Sequence, residues 1–201
     1  MNKLIIEFIG TFFLCLTAAV TGNPIAVGAV LVAMIFAGAH VSGAHYNPAV
    51  TLGLLIRGKC EARESLAYII IQICAAFIAA WVSFVLINRT SAPAPGTELW
   101  KALLAEFIFT FGLVFVILHV ATSKKLEGNG FYALAIGFTV MAGAFACGQI
   151  SGGVFNPALT IGMVVVDLLK GGNSSQTLSY LLPQFLGGAV AALIYKMTVR
   201  E

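Results

Sequence analysis

Long apolar stretches alternate with short polar connectors along the whole chain. Six of them approach or exceed the roughly 20 residues that a helix needs to cross a bilayer; they lie near 4–21, 24–41, 66–87, 99–121, 131–149 and 177–198. Two further apolar stretches, 47–57 and 156–168, are only about half long enough at a rise of ~1.5 Å per residue. The pattern predicts an all-α membrane protein with six transmembrane helices and two half-length helices that cannot cross the membrane alone.

The beginning of the chain shows how tightly these stretches follow one another. The first stretch starts at Leu4, and no small-residue cleavage site followed by a polar chain comes after it, so we interpret it as the first span and not as a signal peptide. Gly22, Asn23 and Pro24 leave almost no loop before the second stretch. A tight hairpin is therefore expected between the first two spans.

Composition excludes several other classes of protein. Hydrophobic residues make up 60% of the chain and charged residues only 9%, which is too apolar for the surface of a soluble domain. The net charge of +3 is scattered and offers no basic stripe for a phosphate backbone, so nucleic acid is not an expected partner. Cys15, Cys60, Cys74 and Cys147 are widely spaced, without a histidine cluster, so no disulfide framework, metal site or cofactor is predicted.

Basic residues in the connectors indicate the orientation of the chain. Alternating spans divide them into two groups: Lys3, Arg57, Lys59, Arg63, Lys124, Lys125, Lys196 and Arg200 on one side, and Arg89, Lys101 and Lys170 on the other. By the positive-inside rule, both termini are expected in the cytoplasm. The short connectors and tails favour a bacterial-type plasma (inner) membrane over an organelle.

The chain contains an internal duplication. Two segments recur: KLIIEFIGTFFLC at 3–15 resembles LLAEFIFTFGLVF at 103–115, and HVSGAHYNPAVTLG at 40–53 resembles QISGGVFNPALTIG at 149–162. Each copy, about 1–95 and about 96–201, contains three full spans. Because three is odd, the second copy must be inverted relative to the first, so the half-length helices enter from opposite faces. We expect one domain over 1–201 built from this inverted repeat.

Each half-length stretch begins with the same tripeptide. The two copies consist of Asn47, Pro48 and Ala49, and of Asn156, Pro157 and Ala158. Asparagine is a favoured N-cap and proline suits the first helical position, so simple capping would explain one copy. It does not explain why S-G-x-x-x-N-P-A occurs twice at matching places. We expect each asparagine oxygen to cap its own helix and each NH₂ group to donate into a lumen.

The segments before the two tripeptides are predicted to be irregular and polar. Irregular backbone at membrane depth must line a polar cavity or be buried in protein. We expect its carbonyls to form two rows of acceptors, from Gly43, Ala44, His45 and Tyr46 and from Gly152, Gly153, Val154 and Phe155. The N-termini of the half-helices, each equivalent to roughly +0.5 elementary charge, would repel cations and protons where they meet.

With its two Asn-Pro-Ala motifs, the sequence resembles the aquaporin and glycerol-facilitator (major intrinsic protein) family over essentially the whole chain. The resemblance implies a right-handed bundle of six tilted helices plus two re-entrant half-helices, with a separate pore in each subunit of a homotetramer in membrane lipid. It also implies that Glu7 and Glu106 accept hydrogen bonds from the backbone of the re-entrant segments. For Glu7, a side chain that extends to the nearby membrane interface is the alternative.

One position departs from the family pattern. Water-selective and glycerol-conducting members usually have arginine directly after the second motif, where this chain has Leu159. The family's spacing implies an outer constriction formed by Val27, Ala144, Gly153 and Leu159. None of the four is aromatic or charged, so the constriction is expected to be wide and apolar. It could admit glycerol, urea, ammonia or hydrogen peroxide, and it could also dewet and slow water.

The sequence thus favours a passive channel for water and/or small uncharged solutes. Two alternatives remain: a secondary transporter, because inverted repeats and broken helices also serve alternating access, and a non-conducting structural member of the fold. Apart from Glu7 and Glu106, the spans offer no carboxylate for ion coupling. An enzyme is not expected, because no constellation of nucleophile, base and orienting group is present.

Overall fold

The computed structural model describes residues 1–90 and 92–199, so Arg200 of the first basic group lies outside the described residues. This part of the chain forms eight α-helices and two short 3₁₀ helices, Lys124–Leu126 and Ser175–Tyr180. The α-helices are α1 (Asn2–Thr21), α2 (Pro24–Ser42), α3 (Pro48–Arg57), α4 (Ala62–Ile87), α5 (Leu99–Thr122), α6 (Tyr132–Ser151), α7 (Pro157–Leu169) and α8 (Leu181–Thr198).

Helix lengths confirm the predicted division into spans and half-helices. Within the described residues, six helices are long and apolar enough to cross a membrane, whereas α3 and α7 have only 10 and 13 residues. Two helices begin four residues away from the prediction: α8 begins at Leu181 and not near 177, after a 3₁₀ helix, and α4 begins at Ala62 and not near 66. Its first turn contains Glu64, which a helix N-terminus favours, so the helix extends beyond the apolar stretch. The chain is a multi-pass membrane protein.

The hairpin between α1 and α2 has the predicted tight form. Gly22 ends α1 in the left-handed conformation (φ 58°), which glycine adopts without steric cost. The Asn23 side chain then accepts hydrogen bonds from the backbone N–H groups of Ile25 (2.9 Å) and Ala26 (3.3 Å). Pro24 takes the first position of α2, where its missing N–H needs no partner. Two residues therefore reverse the chain.

Helix packing follows the same scheme in the two halves of the chain. In the first half α1 packs against α2 and α4, and in the second half α5 packs against α6 and α8. Each half-length helix packs mainly against the last helix of the other half, α3 on α8 and α7 on α4. This exchange surrounds the irregular segments before α3 and α7 with other helices and keeps them away from lipid.

Glycines set the distance between these exchanged helices. A Cβ added at Gly162 of α7 would lie 2.5 Å from the carbonyl carbon of Ala76 in α4, and one added at Gly188 of α8 would lie 2.6 Å from the carbonyl oxygen of Ala49 in α3. Small residues at helix contacts allow two backbones to approach closely inside a membrane. Both half-length helices are therefore held against backbone atoms.

The substitution Gly162→Ala is expected to destabilise the protein by about 1–3 kcal/mol, as overpacking in a well-packed core does. The added methyl group meets backbone atoms of α4, which cannot rotate away. Thermal unfolding of the purified protein in detergent measures the effect. Gly112→Ala in α5 is the matched control, because an added Cβ there has no neighbour within 4 Å. An unchanged or raised melting temperature for Gly162→Ala would contradict the close contact.

Candidate functional site

The two Asn-Pro-Ala motifs meet inside the bundle, and each asparagine caps its own half-helix. Asn47 and Asn156 have extended backbones and are buried. The Oδ1 atom of Asn47 accepts a hydrogen bond from the N–H of Ala49 at 2.8 Å, and that of Asn156 accepts from the N–H of Ala158 at 3.0 Å. The side-chain caps expected from the sequence are therefore present.

Each asparagine also binds the segment that precedes the other motif. Nδ2 of Asn47 donates to the carbonyl oxygen of Phe155 at 2.8 Å, and Nδ2 of Asn156 donates to that of Tyr46 at 3.0 Å. A primary amide carries two N–H groups, so one on each asparagine is left for another acceptor. The sequence predicts only that each NH₂ group donates into a lumen, so this link is an addition that the structure makes. It joins the N-termini of α3 and α7.

The segments before the motifs adopt uncommon backbone conformations. Left-handed φ values occur at Ala44 (52°), Tyr46 (51°) and Phe155 (50°), and also at Gly43 (87°), Gly152 (91°) and Gly153 (65°). Glycine tolerates this region, but a non-glycine residue needs support from its surroundings to stay there. Hydrogen bonds that the backbone N–H groups donate to two buried carboxylates supply that support.

The first carboxylate is that of Glu7. Its Oε1 accepts from the N–H of His45 (2.9 Å) and the hydroxyl of Ser42 (2.7 Å), and its Oε2 accepts from the N–H of Tyr46 (2.8 Å) and from Nε2 of Gln72 (2.9 Å). Glu7 has no accessible surface, so it does not extend to the membrane interface.

Glu106 makes the corresponding bonds in the second half. Its Oε1 accepts from the N–H of Val154 (3.0 Å) and the hydroxyl of Ser151 (2.6 Å), and its Oε2 accepts from the N–H of Phe155 (2.8 Å) and from Nε2 of Gln184 (2.8 Å). Both carboxylates thus engage the backbone directly before an asparagine. Buried charges are stable only when such partners surround them.

Sequence reasoning missed the two glutamines in these networks. Besides binding the carboxylates, Nε2 of Gln72 lies 3.1 Å from the hydroxyl of Thr51, and Nε2 of Gln184 lies 3.1 Å from that of Thr160. The sequence does contain a signal for these glutamines, because each is an isolated amide in the otherwise apolar third span of a repeat. Each threonine also follows its motif asparagine by four residues in both copies.

A continuous cavity of about 1050 Å³ passes this junction, and Asn47 and Asn156 both line it. Its lining includes Gly22 and Arg89 from the connectors α1–α2 and α4–α5, and also Lys59 and Lys124 from the connectors α3–α4 and α5–α6. In a bundle of alternating spans these two pairs of connectors lie on opposite sides of the membrane. The cavity therefore extends from one side of the bundle to the other.

Most of the residues singled out from the sequence border this cavity. They are Val27, Ala144, Gly153 and Leu159, and from the irregular segments Gly43, Ala44, His45, Gly152, Val154 and Phe155. Tyr46 lies beside the cavity wall but does not line it, since its ring is buried and its carbonyl accepts from Asn156. Helix packing encloses the remaining motif residues Pro48, Ala49, Pro157 and Ala158.

A family model described as Major intrinsic protein matches residues 1–195 of the chain. The chain belongs to the major intrinsic protein family. It is 36% identical to Aquaporin NIP1-4 of Oryza sativa subsp. japonica, over 98% of this chain and 77% of that protein. It is also 32% identical to Aquaporin AqpM of Methanothermobacter marburgensis, over 100% of this chain and 98% of that protein.

A solved structure shares the fold of this chain. The X-ray structure of the aquaglyceroporin from Plasmodium falciparum superposes with a TM-score of 0.85, covering 98% of this chain and 96% of that one at 22% sequence identity. The match confirms the fold of six spans and two half-helices. The family-model match over residues 1–195 confirms the major intrinsic protein resemblance inferred from the double motif.

Proposed function

We propose that this major intrinsic protein is a passive transmembrane channel for water and small uncharged solutes. The observation that carries the proposal is the continuous cavity, which passes the joined asparagines and reaches connectors on both sides of the bundle. Relatives named as aquaporins and the shared fold with an aquaglyceroporin support the same class of function.

The polar groups along the cavity would replace part of the hydration of a passing solute. The irregular segments 43–45 and 152–155 line it, and their backbone carbonyls are candidate acceptors. The second N–H of Asn47 and of Asn156 is a candidate donor at the junction. Apolar side chains such as Leu31, Ile35 and Val140 also line the cavity and offer no competing partner. A small neutral solute could then exchange hydrogen bonds with these acceptors and donors as it moves along the cavity.

The same junction opposes cations. The N-termini of α3 and α7 meet where Asn47 and Asn156 each donate a hydrogen bond to the segment before the other motif. Together the two helix N-termini are equivalent to roughly one positive elementary charge. No carboxylate lines the cavity at this level among the described residues, because the oxygens of Glu7 and Glu106 are taken up by backbone, serine and glutamine donors. This argues against the ion coupling that a secondary transporter needs.

We further propose that Val27, Ala144, Gly153 and Leu159 form the outer constriction. All four line the cavity, and a Cβ added at Gly153 would lie 3.0 Å from Cα of Ala144, so these two positions are in contact. Small and aliphatic groups leave a wide ring without hydrogen-bond donors on its side chains. Solutes larger than water, such as glycerol and urea, are therefore expected to pass.

In this proposal both termini are cytoplasmic and the membrane is the plasma (inner) membrane. Two contacts support a common side for the termini: Nζ of Lys3 forms a salt bridge with Glu64 at 2.8 Å, and Nζ of Lys196 donates to the carbonyl of Ile56 at 3.4 Å. Both partners flank the basic connector between α3 and α4. An excess of basic residues on this side is typical of the cytoplasmic face.

The proposed assembly is a homotetramer in which residues 1–201 of each subunit form one channel domain. Within it, the inverted repeats about 1–95 and 96–201 are supported by the matched helix packing and by the equivalent bonds of Glu7 and Glu106. Large apolar side chains such as Ile9, Phe13 and Ile70 face outward, where lipid or neighbouring subunits would cover them.

The proposed function predicts solute flux through reconstituted protein. Under an impermeant osmolyte, proteoliposomes should shrink faster than empty vesicles in stopped-flow light scattering, and they should reswell faster when glycerol or urea replaces that osmolyte. The rates should rise linearly with the gradient. Saturable uptake coupled to an ion gradient would favour a transporter, and water flux without glycerol flux would contradict the wide constriction. Correctly folded protein without any flux would contradict the channel and favour a structural role.

A further inference from the structure

Charged side chains are rare along the cavity, and their distribution is uneven. Among the described residues, those that line it are Lys59, Lys124 and Glu127 on the side of the connectors α3–α4 and α5–α6, and Arg89 on the opposite side. The half of the cavity that opens beside the α1–α2 hairpin is here called the outer opening. Of the residues that the structure describes, it contains one charged side chain, the cation Arg89.

The charge of Arg89 has no direct partner. Its side chain is exposed, and it makes no hydrogen bond or ion pair with any residue in 1–90 or 92–199. The other basic residues on this side are engaged elsewhere and do not line the cavity: Lys101 pairs with Glu98 at 3.0 Å, and Nζ of Lys170 lies 4.3 Å from the ring centre of Trp81. In the described part of the chain, Arg89 alone presents a positive charge to the opening.

The backbone around Arg89 is held in place. Asn88 ends α4 in the left-handed conformation (φ 51°), which turns the chain away from the helix axis. The hydroxyl of Thr90 then donates to Oδ1 of Asp167 at 2.5 Å, which ties the residue after Arg89 to the end of α7. Asp167 is the nearby acidic group, but it does not line the cavity and its other oxygen accepts from the N–H of Ser174 at 3.2 Å.

Two later residues of the α4–α5 connector, Pro93 and Gly96, are anchored as well. The carbonyl of Pro93 accepts from the hydroxyl of Thr177 at 2.7 Å, and the N–H of Gly96 donates to the carbonyl of Ile150 at 3.0 Å. Thr90 and Pro93 also line the cavity. These connector residues thus form part of the wall of the outer opening, and Arg89 lies in this wall.

We infer that Arg89 determines the charge selectivity of the outer opening. A fixed positive charge lowers the local concentration of cations, raises that of anions and leaves neutral solutes unaffected, by an amount that added salt reduces. Leu159 carries no charge and cannot supply this field. The consequence for transport rests on the proposed channel function, but the field itself can be measured without any flux.

A thiol near the opening can report the field. Val27 lines the cavity in the first turn of α2, so Val27→Cys provides a target for three methanethiosulfonate reagents that carry a sulfonate, a trimethylammonium or no charge. Mass spectrometry after chymotryptic digestion separates this reaction from those of native cysteines, because cleavage after Leu16 leaves Cys15 in another peptide. Arg89→Gln in this background is expected to lower the ratio of the sulfonate rate to the trimethylammonium rate about five- to tenfold at low salt. Coulomb's law gives this range for one charge in water at about 6–8 Å, because the field acts on the two reagents with opposite sign.

Two variants control the measurement. Arg89→Lys keeps the charge and should retain the ratio within about twofold, since both side chains carry one positive charge. Lys101→Gln removes a charge from the same side but outside the cavity, and it should leave the ratio unchanged. The rate of the uncharged reagent reports whether access to residue 27 has altered.

Each outcome decides the inference. An unchanged ratio in Arg89→Gln, or an equal fall in Lys101→Gln, would overturn it. If Arg89→Gln also slows the uncharged reagent, Arg89→Lys decides: a retained ratio supports the inference and a lost one overturns it. If the ratio depends on Arg89 but the vesicles conduct no solute, the proposed channel function fails while the role of Arg89 in the field stands.

Discussion

Glu106→Ala is expected to destabilise the protein so strongly that little of it remains folded in detergent. The substitution removes the acceptor of four hydrogen bonds, and it leaves the buried N–H groups of Val154 and Phe155 without partners. Each such group costs about 1–3 kcal/mol, so the loss is several kcal/mol in total. The left-handed backbone of Phe155 also loses its support. Thermal unfolding and size-exclusion chromatography measure the effect.

Two further variants serve as controls for Glu106→Ala. One removes an exposed glutamate, and the other replaces Glu106 with a residue of the same shape. Glu98→Ala removes a surface carboxylate that pairs with Lys101, and it should shift stability by no more than about 0.5 kcal/mol. Glu106→Gln keeps one acceptor oxygen but turns an NH₂ group toward other donors. Its loss of stability should therefore lie between those of Glu98→Ala and Glu106→Ala. A Glu106→Ala protein that melts at the wild-type temperature would show that the carboxylate does not hold the segment.

Leu159→Arg is expected to lower glycerol permeability roughly tenfold, which corresponds to ~1.4 kcal/mol in the transport barrier. Leu159 lines the cavity directly after the second motif, and a longer, charged side chain there would narrow the ring and add donors. Water is smaller than glycerol and should be slowed less. Stopped-flow reswelling in glycerol and shrinkage under an impermeant osmolyte, recorded on the same vesicles, give the two permeabilities.

The control for this change is Leu159→Met, which conserves volume and polarity and should leave both permeabilities close to wild type. Equal amounts of folded protein must be present in each vesicle preparation. If Leu159→Arg admits glycerol as fast as wild type, residue 159 does not lie at the narrowest point, and another part of the cavity sets the size limit.

The half-helices show clearly which features of this fold a sequence can predict. The lengths of the apolar stretches 47–57 and 156–168 predicted that neither crosses the membrane, and α3 and α7 have 10 and 13 residues. Length is a local property, since each residue of a helix adds a constant rise. The boundary of α4 was less predictable, because the helix continues past the apolar stretch into residues that favour its N-terminus.

Family and fold were predictable from the sequence because their signals are repeated. Two Asn-Pro-Ala motifs in two copies of a three-span unit are specific in a way that one motif is not, and the family match over 1–195 confirms what they indicated. The caps of Asn47 and Asn156 were predictable for a related reason, because the Oδ1 acceptor binds an N–H only two residues further along.

The sequence by itself therefore determined the spans, the half-helices, the repeat and the family. Only the tertiary structure decided that the asparagines bind across to carbonyls 108 and 110 residues away, that Gln72 and Gln184 complete the carboxylate networks, and that Arg89 lies at the outer opening. The physical reason is the separation along the chain of the residues that interact. Hydrophobic length and helix caps depend on neighbours along the chain, whereas a buried polar group depends on whichever distant segment packing brings within hydrogen-bond distance.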